Sequence, residues 1–151
     1  MTHLRPATPF DCTFVRRCAR AAYAPYVARI GREPAPMVAD FERHIRGGEV
    51  AIAEAADGAP CGYVIYRSLG DCVLLENVAV DPAQHGEGHG RALIDHVERF
   101  AREQGIALVR VYTNVHMREN LSLYPALGYR ETGRKNEDGF DRVYFEKIVE
   151  R

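Results

Sequence analysis

Long apolar runs are missing from this chain. No stretch approaches the ~20 residues needed to span a bilayer, which argues against a transmembrane helix. Charge of one sign is missing as well: 20 Lys and Arg against 21 Asp and Glu leave a net charge of −1. No global field therefore favours nucleic acid or an anionic membrane surface. Repeats and low-complexity segments are absent. Cys12, Cys18, Cys61 and Cys72 form no CxxC pair, so the common zinc and dithiol motifs do not arise. No signal-like segment is visible, and the thiols are read as reduced in a cytoplasmic protein. What is present fits one ordinary globular domain over residues 1–151, with 46% hydrophobic and 27% charged residues.

The patterning alternates strand and helix. Thr2–Pro6 reads as a first strand, and Phe14, Val15, Cys18, Ala21 and Ala22 recur at helical spacing up to about Tyr23. From Tyr23 to Met37, Pro25, Gly31, Pro34 and Pro36 predict a loop. Val38–Ile45 reads as a short helix stopped by Gly47-Gly48. Glu49–Ala56 and Cys61–Leu69 flank the turn pair Asp57-Gly58 and predict a hairpin, which Gly70-Asp71 extends into a third strand, Cys72–Val80. Helical spacing returns over Arg91–Glu103 and Met117–Leu127, with a β-branched strand, Ala107–Tyr112, between them. Tyr129–Thr132 and Arg142–Ile148 read as closing strands. The fold class is α+β: a mostly antiparallel, twisted sheet of six or seven strands with helices on both faces.

The most informative segment is Gln84-His-Gly-Glu-Gly-His-Gly-Arg-Ala-Leu93. Its alternating glycines follow an apolar strand and precede a helix. Glycine admits positive φ and removes Cβ atoms that would hold a ligand away. Successive N–H groups can then converge on one anion, reinforced by the unpaired N–H groups and dipole of the helix start. Such a cradle suits a phosphate. The dinucleotide fingerprint G-x-G-x-x-G fails, because Arg91 occupies its third glycine position and hairpins precede the loop. The P-loop fails because the helix opens Gly90-Arg91-Ala92 rather than Gly-Lys-Ser/Thr.

The third reading is a coenzyme A diphosphate. Here the chain resembles the GCN5-related N-acetyltransferase (GNAT) superfamily, whose Gln/Arg-x-x-Gly-x-Gly/Ala loop corresponds to His85-Gly86-Glu87-Gly88-His89-Gly90. The resemblance extends to Val78-Ala-Val-Asp-Pro82 before the loop. It also takes in Met117-Arg-Glu-Asn-Leu-Ser-Leu-Tyr-Pro-Ala-Leu-Gly-Tyr129, similar to the family's segment ending Leu-Tyr-x-x-Leu-Gly-Phe/Tyr. Two motifs in the right order cover nearly the whole chain. His85 stands where Gln or Arg is usual, and Met117 stands where Asn is usual, with Asn114 and Asn120 nearby.

The resemblance implies acetyl-CoA as cosubstrate, held by Val78, Ala79 and Val80, by His85 to Arg91, and by Asn120 or Asn114. It implies an N-acetyltransferase acting on a primary amine of a small molecule or peptide, by direct attack in a ternary complex. Homodimers are common on that fold. An acceptor amine with pKa near 10.4 is mostly protonated at pH 7, a handicap of about 4–5 kcal/mol. The site must therefore accept a proton, stabilise an oxyanion and protonate the departing thiolate. Tyr124 matches the family's general acid, and Pro125 after it should kink or end its helix. Glu76 and Asn77 are the strongly polar residues of an otherwise apolar strand, which makes Glu76 the candidate base, directly or through water.

No metal site is expected, since His85 and His89 sit in a glycine loop without further ligands. His116 is a surface-loop residue or a liner of the acceptor pocket. The Tyr23–Pro34 segment and the Asn136–Phe140 turn are expected to border the acceptor. The alternative function is a non-catalytic acyl-CoA-binding sensor or interaction module on the same fold.

Overall fold

A computed structural model describes residues 2–149. Seven strands form one sheet: β1 (His3–Pro6), β2 (Val50–Glu54), β3 (Pro60–Ser68), β4 (Val73–Val80), β5 (Leu108–Asn114), β6 (Arg130–Glu137) and β7 (Phe140–Ile148). Their order across the sheet is β1-β2-β3-β4-β5-β7-β6, and the β4–β5 pair is parallel where every other pair is antiparallel. Four helices cover it: α1 (Cys12–Ile30), α2 (Phe41–Arg46), α3 (His89–Glu103) and α4 (Arg118–Ala126). This is the mixed, mostly antiparallel sheet that the patterning predicts.

Two cores lie on opposite faces of the sheet. On one, Val15, Cys18, Ala19 and Tyr23 of α1 join Phe41 and Ile45 of α2 against Tyr63 and Ile65. On the other, Leu93, Ile94, Val97 and Ala101 of α3 pack with Val64, Leu75, Val111 and Phe145. The α3 positions fall on one helical face. Burying each of its larger side chains contributes about 1.5–3 kcal/mol.

Where expectation and structure part, the backbone gives the reason. The segment from Tyr23 was expected to be a loop, yet α1 continues through Pro25 to Ile30 and stops only at Gly31, a left-handed cap with φ 90°. Pro25 and Ala21, whose carbonyl loses its helical partner, both face solvent, where water can satisfy that carbonyl. The next segment is a short 3-10 turn, Ala35–Val38, and α2 begins at Phe41 rather than Val38. Helix α3 begins at His89, two residues before the expected start. Strand β6 runs on to Glu137, well past Thr132; it is a mostly exposed edge strand, so its sequence is polar on both faces.

Candidate active site

The strands β4 and β5 pair only at Val73↔Val109, Leu74↔Arg110 and Leu75↔Val111. Beyond that point β4 continues to Val80 and β5 to Asn114 without further pairing, so the sheet opens into a V. The cleft between them is lined by Tyr23 from α1, by Glu76 to Val78, by Thr113 and Asn114, and by Asn120 and Tyr124 of α4.

A β-bulge shapes its upper edge. Ile65 opposes Asn77 while Tyr66 opposes Leu75, leaving Glu76 as the extra residue of β4. Strict alternation would send Glu76 and Asn77 to opposite faces. The bulge instead lets both line the cleft, and both also line a side pocket with Pro36, Ala39, His44 and Tyr112. The N–H of Asp81 donates to Cys61 O at 2.8 Å, which sets the parity of the strand's remaining backbone groups. Ala79 pairs with Tyr63 toward β3, whereas the N–H and C=O groups of Val78 and Val80 turn toward the cleft.

Ala79 was expected to contact the coenzyme with its neighbours; its backbone is directed to β3 and its methyl group is buried in the α1 core. The parity of the strand excludes it.

Asn77 anchors the opposite wall. The hydroxyl of Tyr23 lies 2.8 Å from Val78 O and 3.0 Å from Asn77 Oδ1. One hydroxyl has one proton. Tyr63 OH donates to Asn77 Oδ1 at 2.9 Å, so Tyr23 is left free to donate to Val78 O. Asn77 Nδ2 in turn donates to Pro36 O at 3.0 Å, tying the proline-rich turn to the sheet. Sequence reasoning missed this role of Tyr23 and Tyr63. Their only signal was a tyrosine at the inward spacing of the first helix, obscured by Pro25.

Tyr124 is buried within the core, its ring 5.6 Å from both Tyr129 and Phe145. Burial raises its phenol above the usual value, so it stays protonated. Its hydroxyl has no hydrogen-bond partner among the described residues, and the side chain lines the cleft. Pro125 sits in the last turn of α4, which ends at Ala126; Tyr129 N then returns to Tyr124 O at 2.9 Å. Asn120 donates to Thr113 Oγ1 at 3.1 Å, and Asn114 Oδ1 accepts from the His116 N–H at 2.9 Å. Both asparagines line the cleft; His116 does not.

Below the V, the glycine loop presents its amides outward. Gly86 and Gly88 have φ of 82° and 83°, and a Cβ added to either would meet nothing within 4 Å. Among the described residues, no N–H from Gly86 to Arg91 donates to a carbonyl; the first helical bond is Ala92 N to Gly88 O at 3.1 Å. The free amides, the open space over the glycines and the helix dipole suit a diphosphate. His85, Glu87 and Arg91 are exposed around it. His89 differs: its ring is buried, with Nδ1 2.8 Å from Thr2 Oγ1, leaving only its backbone to the cradle.

Side chains from segments distant in sequence meet on the outer surface of α1. Tyr26 and Arg29 of α1 reach Glu119 of α4 at 2.6 and 2.8 Å. Burial and the Glu119 carboxylate push the Tyr26 phenol up to about 12. Arg32 stacks on Phe140 at 3.6 Å and donates to Asp138 O. Arg32 thus joins the first segment to the Asn136–Phe140 turn, and Phe140 and Arg142 line the cleft.

The profile of the acetyltransferase (GNAT) family matches residues 16–129. The chain belongs to that family. Acetyl-CoA is the cosubstrate of GNAT enzymes. A segment of 81 residues is 31% identical to the ribosomal protein bS18-alanine N-acetyltransferase of Escherichia coli K12, covering 53% of this chain and 55% of that enzyme. The crystal structure of the Escherichia coli ribosomal-protein-S18-alanine N-acetyltransferase covers 100% of this chain and 96% of its own, with a TM-score of 0.76 and 21% identity. A Mus musculus protein, probable N-acetyltransferase family 8 member 5, is 35% identical over 63 residues, 42% of this chain and 28% of that one. The PaiA N-acetyltransferase of Thermoplasma acidophilum, solved with coenzyme A, has a TM-score of 0.73 at 17% identity, over 98% of this chain and 99% of that one. The matched segments span about half or less of the curated relatives. Among the described residues, no helix is long and apolar enough to cross a membrane.

Proposed function

We propose that this GNAT protein is an N-acetyltransferase that moves acetyl from acetyl-CoA to a primary amine of a small molecule or peptide, by direct attack in a ternary complex. One observation carries the reading. A protonated, unpartnered Tyr124 hydroxyl faces a V-shaped opening whose β4 edge offers free backbone groups, with a ring of free amides beneath it.

In this reading the amides from Gly86 to Arg91 hold the diphosphate. The N–H of Val78 and the backbone of Val80 pair with the pantetheine arm as a strand would, and one N–H there polarises the thioester carbonyl. Tyr124 donates its proton to the departing thiolate. Glu76, placed on the cleft by the bulge, accepts the proton of the amine, directly or through water. Asn120 and Asn114 line the same opening as further polar contacts. The relative that acts on a ribosomal protein's alanine makes a peptide N-terminus one acceptor to test. Four buried, free thiols fit a cytoplasmic protein. A homodimer is a further expectation, decided by light scattering.

The test is a thermal-shift titration with acetyl-CoA beside CoA, NAD and ATP. Thiol release is then followed with an alanine-first hexapeptide, spermidine and free amino acids. Ligand at 100 times Kd adds about 2.7 kcal/mol, which in a domain of this size raises Tm by roughly 5–10 °C. A shift with CoA and acetyl-CoA only, followed by thiol release, supports the reading. Binding without turnover on any amine would favour an acyl-CoA sensor instead, and no shift at all would refute the cradle.

A further inference from the structure

The proton taken from the amine needs a way out of the cleft. The structure provides a line of three side chains. Helix α2 places His44 on the same inward face as Phe41 and Ile45. The Gly47-Gly48 turn then folds the chain back, so that Glu49 N donates to His44 O at 3.1 Å while Glu49 Oε1 lies 2.8 Å from His44 Nδ1. Glu49 is fixed on its other side, its carbonyl accepting from Tyr66 N at 2.9 Å. A carboxylate at Nδ1 can only accept, so Nδ1 carries a hydrogen, and in the neutral ring Nε2 presents its lone pair. Glu76 Oε2 lies 3.8 Å from that nitrogen.

Glu76 Oε2 is buried and has no hydrogen-bond partner, the condition of a group waiting for one. The other charged or titratable neighbours are Arg67 from β3, whose Nη2 is 3.9 Å from Glu76 Oε1, and Tyr112 from β5 across the side pocket. The side pocket joins His44 to Glu76, and Glu49 is partly exposed beyond.

Resting on the acetyltransferase reading, we propose that Glu49 and His44 form a proton relay behind Glu76. As the amine nitrogen bonds to the acetyl carbon, its proton passes, directly or through water, to the Glu76 carboxylate. A small turn of that carboxylate closes the gap, and His44 Nε2 takes the proton. The resulting imidazolium is held by the Glu49 carboxylate and gives a proton to water in the side pocket. The carbon–sulfur bond breaks toward the thiolate, which takes its proton from Tyr124, and Tyr124 regains a proton from water once the thiol product leaves. Glu76 is restored as a carboxylate, and no oxidant or metal is required. His44 touches no substrate, so it is a positioning and proton-carrying residue.

The test follows thiol release from acetyl-CoA, with the alanine-first hexapeptide as acceptor and spermidine if the peptide is silent. His44→Gln should lower kcat at least tenfold, leaving KM for both substrates and the acetyl-CoA thermal shift in place. In His44→Gly, added imidazole should restore turnover, whereas 1,2,4-triazole, the same size but far less basic, should not. Unchanged kcat in His44→Gln overturns the relay. Equal rescue by the two azoles also overturns it, since filling a cavity does not depend on basicity. A wild-type protein that turns over no amine overturns the acetyltransferase reading itself, and the relay with it.

Discussion

The hydroxyl of Tyr23 lies 2.8 Å from the carbonyl oxygen of Val78, bridging helix α1 to the free edge of β4. This contact fixes a strand edge that has no neighbouring strand to fix it. Tyr23→Phe removes the donor and leaves a part-buried acceptor unpaired. We expect a loss of about 1–3 kcal/mol in urea unfolding, together with weaker acetyl-CoA binding. Unchanged stability and affinity would mean that the edge holds its shape without Tyr23.

Tyr124→Phe separates binding from chemistry. The ring packing on Tyr129 and Phe145 survives, so the fold and the acetyl-CoA thermal shift should persist. Turnover should fall by roughly 10²–10⁴-fold. Wild-type turnover in this variant would remove Tyr124 as the acid.

The two ends of the glycine loop should respond in opposite ways. Gly88 lies at φ 83°, so Gly88→Ala strains the backbone by about 1–2 kcal/mol and puts a methyl group into the cradle. Acetyl-CoA affinity should drop in that variant. Gly90 is helical, and a Cβ there would meet only Val80 Cγ2, at 3.7 Å. Gly90→Ala should therefore gain about 0.5–1 kcal/mol from helix propensity and keep the ligand shift. Calorimetry of both variants, with and without acetyl-CoA, decides the matter.

Alkaline pH should unfold this protein earlier than neutral pH does. Burial pushes the Cys18 thiol up to about 12 from 9.0, and it raises the phenols of Tyr23, Tyr63, Tyr124 and Tyr129 above 10.0. The unfolded chain then loses these protons first, so stability is complete below about pH 9 and declines as pH rises further. Each group contributes a slope of up to about 1.36 kcal/mol per pH unit once its unfolded value is passed. Urea midpoints between pH 8 and 11 report this directly; a flat profile across that range would contradict it.

Much of the scaffold was legible because local chemistry and tertiary structure agree. Asp57-Gly58 marks the β2–β3 turn, with Gly58 at φ 85°, and the apolar stripe of α3 faces the core as its spacing requires. The glycine loop is likewise where its residues put it. What was not legible depended on partners distant in sequence. The solvent on one side of Pro25 lets α1 continue, and only the pairing with β3 shows Glu76 to be a bulge. The strand reading therefore picked out Glu76 and Asn77 as polar exceptions without showing that they share a wall. Nor could it exclude Ala79, since strand parity is fixed by a hydrogen bond between Asp81 and Cys61. His44 gave no signal at all until the Gly47-Gly48 turn brought Glu49 against it.

The V between β4 and β5 also places two unpaired strand edges opposite each other inside one sheet. Sheet edges are usually guarded at the rim of a protein, by charge, proline or a covering helix. Here the hazard is internal: Tyr23 covers the Val78 carbonyl, and in the proposed reading the coenzyme covers the rest. In the proposed reading, an extended pantetheine arm laid along Val78 and Val80 would act as a removable strand. The empty protein is then the sticky form, and the supply of coenzyme becomes a guard against self-association as well as a source of acetyl groups.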